Sequence, residues 1–159
     1  MEASPLREAM AHHPAAVVVV GVRGEEGLRG LTATSFTSVS LEPPLVLVCL
    51  DSFAATRDVV LRTRAFGVSL LSTRQEFLAD RFAGRAPIVD PAWREVPHRV
   101  AGNGAPILEG CVGWFECRVE SVHPGGDHDV VLAEVLSAGR EPGDPLIHWD
   151  RAFWRLAPH

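Results

Sequence analysis

A mainly β fold, an antiparallel barrel or sandwich, is predicted for this 159-residue chain by three observations. Short β-branched and apolar runs recur along most of its length. Brief Gly-, Pro- and Asp-containing turns separate them, and only two internal segments look helical. Strands at this density with few helices favour an antiparallel arrangement over a doubly wound sheet. A dinucleotide fold also fails on motif. No GxGxxG joins a strand to a helix, and a GxxxxGK phosphate loop is impossible in a chain that has no lysine.

Each element can be justified in order. PLREAMAHH (5–13) reads as a short helix or an irregular arm. AAVVVVGV (15–22) is β-branched and short, hence a buried strand, with GEEG (24–27) as its hairpin loop. Strands follow at 30–40 and 45–51, separated by Glu42-Pro43-Pro44, whose prolines cannot donate to a ladder. Ser52 stands before AATRDVVLRT as an N-cap hydroxyl. AFGVSLL (65–71) is another strand. Thr73 and Glu76 form a capping-box pattern, Phe77, Leu78 and Phe82 give the next helix an apolar face, and Gly84 stands where a glycine cap belongs. Prolines 87, 91, 97 and 106 make 84–106 a long irregular connection. Two long strands, 107–123 and 128–139, are joined by HPGGD, and PLIHWDRAFWRL closes the chain as two short strands or a hairpin. About seven strands and two inserted helices make one domain over 1–159.

Composition excludes several function classes. Hydrophobic residues make up 47% and charged residues 22%, as in a folded globular protein, and the formal charge is −5. An acidic chain with scattered arginines argues against a nucleic-acid partner. No apolar run approaches a membrane span and no signal-peptide pattern opens the chain, so a cytoplasmic location is expected. Cys49, Cys111 and Cys117 sit among apolar neighbours and read as free thiols, with no CxxC pair. In GDHD (126–129), neighbouring side chains on a strand point to opposite faces, which argues against a metal site. There is no GxSxG elbow. Trp114, Trp149 and Trp154 read as core or interface.

The hydroxyl-rich stretch GLTATSFTSVSLEPPLVLVCL (30–50) would alone read as a Ser/Thr-rich edge strand beside a buried one. It also resembles the signature of the flavin reductase family, a T-A-S-S-F-x-S-V-S run leading through D-P-P to an apolar strand. FGVSLLSTRQEFLADRFAG and GWFECRVESVHPGGDH are similar to two further elements of that family, in the same order. The resemblance implies an antiparallel Greek-key split barrel of the FMN-binding kind. It implies an NAD(P)H:flavin oxidoreductase, the small component of a two-component system that supplies diffusible reduced flavin to a partner monooxygenase. It implies a homodimer with flavin near the interface.

A flavin ring needs close backbone approach, small donors and apolar walls. The family implies that Thr32, Ala33, Thr34 and Ser35 face its pyrimidine edge and ribityl chain, with Cys49, Leu50 and Asp51 on the other side. Ser52 and Thr56 straddle a helix start suited to a phosphate, with Arg81 and Arg85 near Phe82 and Ala83 as charged partners. His128 is implied to position the nicotinamide of NADH or NADPH, and the resemblance implies that no residue acts as nucleophile or general acid/base. FAD is favoured over FMN, with the 84–106 segment deciding room for adenosine. The chain also departs from the pattern. AHHPAAVVVV replaces a basic Thr-Gly approach to the first strand, Ser69 replaces an Asn, His148 takes a Tyr position and Asp150-Arg151 a basic-Gly pair. Two alternatives stay open: a relative that keeps its flavin and reduces another acceptor, or one that binds flavin or heme without catalysis.

Overall fold

The computed structural model describes residues 3–85 and 92–159; part of the expected 84–106 connection lies outside them. The N-terminal segment is a helix, α1 (Ala3–Ala11), followed by β1 (Ala15–Ala16) and β2 (Val18–Gly24). β2 turns through Glu25-Glu26 into β3 (Gly27–Ala33), as the GEEG loop predicts. The single strand expected over 30–40 is instead two. β3 ends at Ala33 and β4 starts at Thr37 (Thr37–Leu41), leading to β5 (Pro44–Asp51). Helix α2 (Ala55–Thr63), β6 (Ala65–Leu70), a 3₁₀ turn (Thr73–Gln75) and α3 (Glu76–Phe82) come next. Two short strands, β7 (His98–Val100) and β8 (Pro106–Leu108), pair with each other. The strand expected over 107–123 is split. β8 ends at Leu108, the chain turns at Gly110 in the left-handed region (φ 84°), and β9 (Gly113–Gly125) then pairs with β10 (His128–Arg140). The terminal hairpin is β11 (Ile147–Trp149) and β12 (Ala152–Trp154).

Seven strands form one antiparallel sheet in the order β3-β2-β6-β9-β10-β5-β4. Its two outer strands are consecutive in the chain. Only Thr34, Ser35 and Phe36 separate them, so the sheet must curl until its edges meet. Bulges help the bend: Glu120 of β9 and Leu136 of β10 have no partner in the β9–β10 ladder. The barrel interior is filled by Val18, Val20, Val22, Val48, Phe66 and Val131, with Val59 and Val60 of α2 closing one end. A second cluster covers the outside of β2, where Val17 and Val19 meet α3, Trp93 and Leu146. Both faces of β2 are therefore buried, which is why AAVVVV carries no alternation.

A row of glycines sets how closely that outer layer approaches. Gly30, Gly21 and Gly67 are paired side by side across β3, β2 and β6. A Cβ on Gly21 would stand 2.8 Å from the carbonyl oxygen of Pro106, and one on Gly30 would stand 2.8 Å from the Phe82 ring. The row is thus a trough into which Phe82, Trp93 and Pro106 settle.

The capping box expected at Thr73/Glu76 lies one residue earlier. Gln75 Oε1 accepts a bond from Ser72 N at 3.1 Å while its Nε2 donates to Glu109 O at 2.8 Å. The displaced box starts a 3₁₀ turn that carries the chain into α3. Gly84 ends α3 as expected, in the left-handed region at φ 72°.

Candidate functional site

The Thr34–Phe36 crossing is where the main chain leaves the ladder, so its backbone has no strand partner there. Ser35 bolts the crossing shut. Its hydroxyl accepts from Cys49 N at 3.0 Å and donates to Cys49 O at 3.1 Å. Thr32 Oγ1 donates to Ala79 O of α3 at 2.6 Å, and Thr56 Oγ1 of α2 donates to Gly30 O at 3.1 Å. Ser69 Oγ, buried, accepts from Leu108 N at 2.9 Å. Most of the small hydroxyls singled out in the sequence are therefore engaged with main-chain groups that lack a ladder partner. They fix two helices and β8 around the crossing, and the backbone of Thr34, just past the last β2–β3 pair at Ala33, is what stays open.

That open stretch walls a crevice of about 160 Å³, formed by Thr32, Ala33 and Thr34 with Ala83, Arg85 and His148. The end of α3 presents Ala83 and Arg85 by a paired helix stop. Gly84 N donates to Arg81 O at 3.2 Å and Arg85 N to Asp80 O at 2.9 Å. Among the described residues Arg85 makes an exposed ion pair with Asp80 at 3.3 Å, a contact too weak to hold it against a charged ligand. Arg81 differs, since its Nη2 donates to Arg94 O at 2.6 Å. Phe82 points inward onto Trp93, with ring centroids 4.8 Å apart. The crevice opens into a second groove of about 460 Å³ that shares Thr34 and His148.

The remaining predicted residues gather at the C-terminal end of β5 and the start of β10. Leu50 is fully buried in the barrel, so only its backbone can face a ligand, while Asp51 is exposed. Asp51 Oδ1 accepts from Phe53 N at 2.8 Å. Ser52 is not the N-cap of α2: that residue is Ala54, extended at ψ 129° and with no side-chain cap. The turn made by Asp51 delays the helix by two residues. Ser52 is tied by its backbone N to Asp127 O at 3.0 Å. His128 pairs with Asp51 across the β10–β5 ladder, and its Nδ1 lies 2.7 Å from Asp127 Oδ1. The hydrogen bond from His128, then its charge, hold the Asp127 carboxyl below the usual carboxylate range. Ser52 and His128 line neither cavity, so the chain presents its predicted site in two parts.

Behind this rim Asp129 is buried and meets Arg57 of α2 at 2.5 Å, which locks the helix to the start of β10. Cys49, Cys111 and Cys117 are free thiols. Burial pushes the Cys117 thiol up to about 12 and raises Cys111 as well. Among the described residues no cluster of three His, Cys, Asp or Glu is arranged to hold a metal.

The architecture is an antiparallel barrel with a crevice at its seam, and comparison with known proteins specifies the family. A family model described as "Flavin reductase like domain" matches residues 10–157. The chain belongs to the flavin reductase family. It is 40% identical over 158 residues to the NADH-dependent FAD reductase of Streptomyces globisporus, covering 96% of this chain and 85% of that protein. It is 37% identical over 152 residues to the reductase component of 4-hydroxyphenylacetate 3-monooxygenase of Thermus thermophilus, covering 94% of each. Among solved structures, BorF, the flavin reductase component of a bacterial two-component tryptophan halogenase, superposes with a TM-score of 0.90 at 33% identity, covering 99% of this chain and 100% of that one. These neighbours carry the split-barrel flavin reductase fold, as the resemblance implied.

The groove residues Arg7, His13 and Arg151 were not among the predicted site residues. The only signal was that His13 and Arg151 fall in AHHP and HWDR, two of the places where the chain departs from the resemblance; Arg7 gave none.

Proposed function

We propose that the protein uses a nicotinamide dinucleotide to reduce FAD or FMN, and releases the reduced flavin to a separate flavin-dependent monooxygenase. The observation that carries this reading is the backbone-walled crevice at the Thr34–Phe36 crossing, in a chain belonging to this family. Its lining suits a flavin: main chain at the end of the β2–β3 ladder, the Thr34 side chain and a loosely paired Arg85, with Val17 and Phe153 as apolar walls. Hydride passes from nicotinamide to flavin, and the chain's residues align the two and exclude water. Thr32, Ala33, Thr34, Ser35 and Cys49 bound the ring, with Ser35 acting through its grip on the Cys49 backbone. Leu50, Asp51 and Ser52 border it further along β5, and Thr56 and Ser69 support its floor from beneath. Ala83 and Arg85, backed by Phe82, meet its phosphate side, and His128 positions the nicotinamide.

The two separated parts of the site favour a homodimer in which a second copy completes each crevice. Leu41 and Phe53, 86% and 91% exposed, are apolar side chains suited to such a contact. The relatives' names include both FAD and FMN reductases, and FAD is the flavin we favour. Three free cysteines agree with a reducing cytoplasm, and no described helix is long and apolar enough to cross a membrane. We read the chain as one functional domain. The reading is tested by following NADH oxidation in air with and without added flavin. Oxidation that depends on added FAD or FMN supports it, and a rate indifferent to flavin overturns it.

A further inference from the structure

The groove beside the crevice joins the two ends of the chain. β1 pairs with β11 (Ala15 opposite His148), Trp149 Nε1 donates to His12 O at 3.2 Å, and Asp150 N donates to Ala11 O at 2.7 Å. These bonds clamp the end of α1 against the β11–β12 hairpin. Arg7 and His13 face the groove from one side, and His148 and Arg151 from the other. No carboxylate lines it, although the whole chain has a charge of −5. Neither arginine makes an ion pair with a described carboxylate, whereas Arg29, Arg57, Arg85 and Arg118 all do.

Arg151 is held there against backbone preference. The hairpin turn puts Asp150 at φ 48° and Arg151 at φ 61°, a left-handed pair that glycine would adopt freely. Aspartate tolerates this conformation, but arginine does so seldom, and local strain of this kind tends to persist where a side chain has work to do. The result is a positive, carboxylate-free trough that opens directly onto Thr34 and His148 of the crevice. Low-dielectric walls lined by one sign of charge select ligands of the other. Arginine's planar fork suits phosphate oxygens in particular.

We propose that this trough is the seat of a dinucleotide's pyrophosphate, with Arg151 and Arg7 as its binding residues and His13 and His148 as additional donors. The inference rests on the reductase reading, which puts a dinucleotide at the adjoining crevice. Nicotinamide dinucleotide and FAD share this chemistry, whereas FMN has no pyrophosphate. Arg151 therefore favours a ligand that carries a pyrophosphate over one, such as FMN, that does not.

The test has a binding arm independent of turnover. ADP, the fragment common to both dinucleotides, is titrated calorimetrically into the full-length protein, wild type and Arg151→Gly. Glycine relieves the left-handed backbone, so the variant should melt no lower than wild type while its Kd for ADP rises about tenfold, a loss of about 1.4 kcal/mol. Arg7→Ala should weaken ADP in the same direction, and Arg151→Lys should recover part of the loss. ADP binding that is absent in the wild type, or unchanged in both Arg151→Gly and Arg7→Ala, overturns the proposal. KM values then separate the sources. A tenfold rise for NADH with FMN unaffected assigns the seat to the nicotinamide dinucleotide, and a rise for FAD alone assigns it to the flavin. A protein that binds ADP here without reducing flavin would sink the reductase reading and leave the seat standing.

Discussion

His128 stands at the first rung of β10, opposite Asp51, with Nδ1 engaged by Asp127. That bond fixes the ring plane and leaves Nε2 as the nitrogen available to a ligand. A residue that orients nicotinamide without reacting should act on one substrate only. His128→Ala is expected to raise KM for NADH about tenfold and leave KM for flavin nearly unchanged; equal effects would refute the role. Ser52→Asp puts a carboxylate between Asp51 and Asp127, on the rim that borders the flavin, where it adds to an already negative edge. Flavin binding, read by fluorescence quenching, should weaken by roughly tenfold, about 1.4 kcal/mol. The individual roles of Thr32, Ser35 and Thr56 were only half legible. Each has a hydroxyl of the right size for a ligand, and a single sequence does not show that Ala79 O, the Cys49 backbone and Gly30 O claim them first.

Elements were more legible than side chains, because period and turn chemistry are local. The GEEG hairpin, β5, β6, the long β9–β10 pair and the glycine stop of α3 all follow from short-range signals. The misread places are where two local signals compete. TATSFTS alternates well enough for one strand, but the barrel has to be crossed there, and the ladder breaks at Thr34. Thr73/Glu76 and Ser72/Gln75 are overlapping capping boxes, and Gln75 wins because its amide also reaches Glu109 O. Two element-scale predictions follow from this geometry. Gly21→Ala forces a methyl against the Pro106 carbonyl, and should cost about 1–3 kcal/mol in urea denaturation. Ser35→Ala removes both bonds across the barrel seam and should cost about 1–3 kcal/mol, with increased amide exchange at Cys49.

At the scale of the whole molecule, composition and contact order matter together. The chain has neither lysine nor tyrosine, so no ammonium side chain or phenol titrates in its alkaline range. Cys117, raised to about 12 by burial, and Cys111, raised likewise, are two thiols whose folded values exceed their unfolded ones. Because folding raises these values, their contribution is complete below the unfolded thiol value of about 9 and is lost as pH climbs through the folded ones. Stability should therefore fall by at most ~1.4 kcal/mol per pH unit per thiol above about pH 9. Cys117→Ala should flatten that fall, and an unchanged slope would contradict it. The basic groove was not legible at all, since it depends on pairing Ala15 with His148 across most of the chain.

The central claim is that flavin is a diffusible substrate of this barrel. The direct measurement is anaerobic: a trace of protein, excess NADH and a large excess of FAD, with flavin absorbance followed to completion. The account predicts bleaching of many equivalents of FAD per protein chain. Bleaching that stops at a single equivalent would contradict it and mark the flavin as a resident group serving another acceptor.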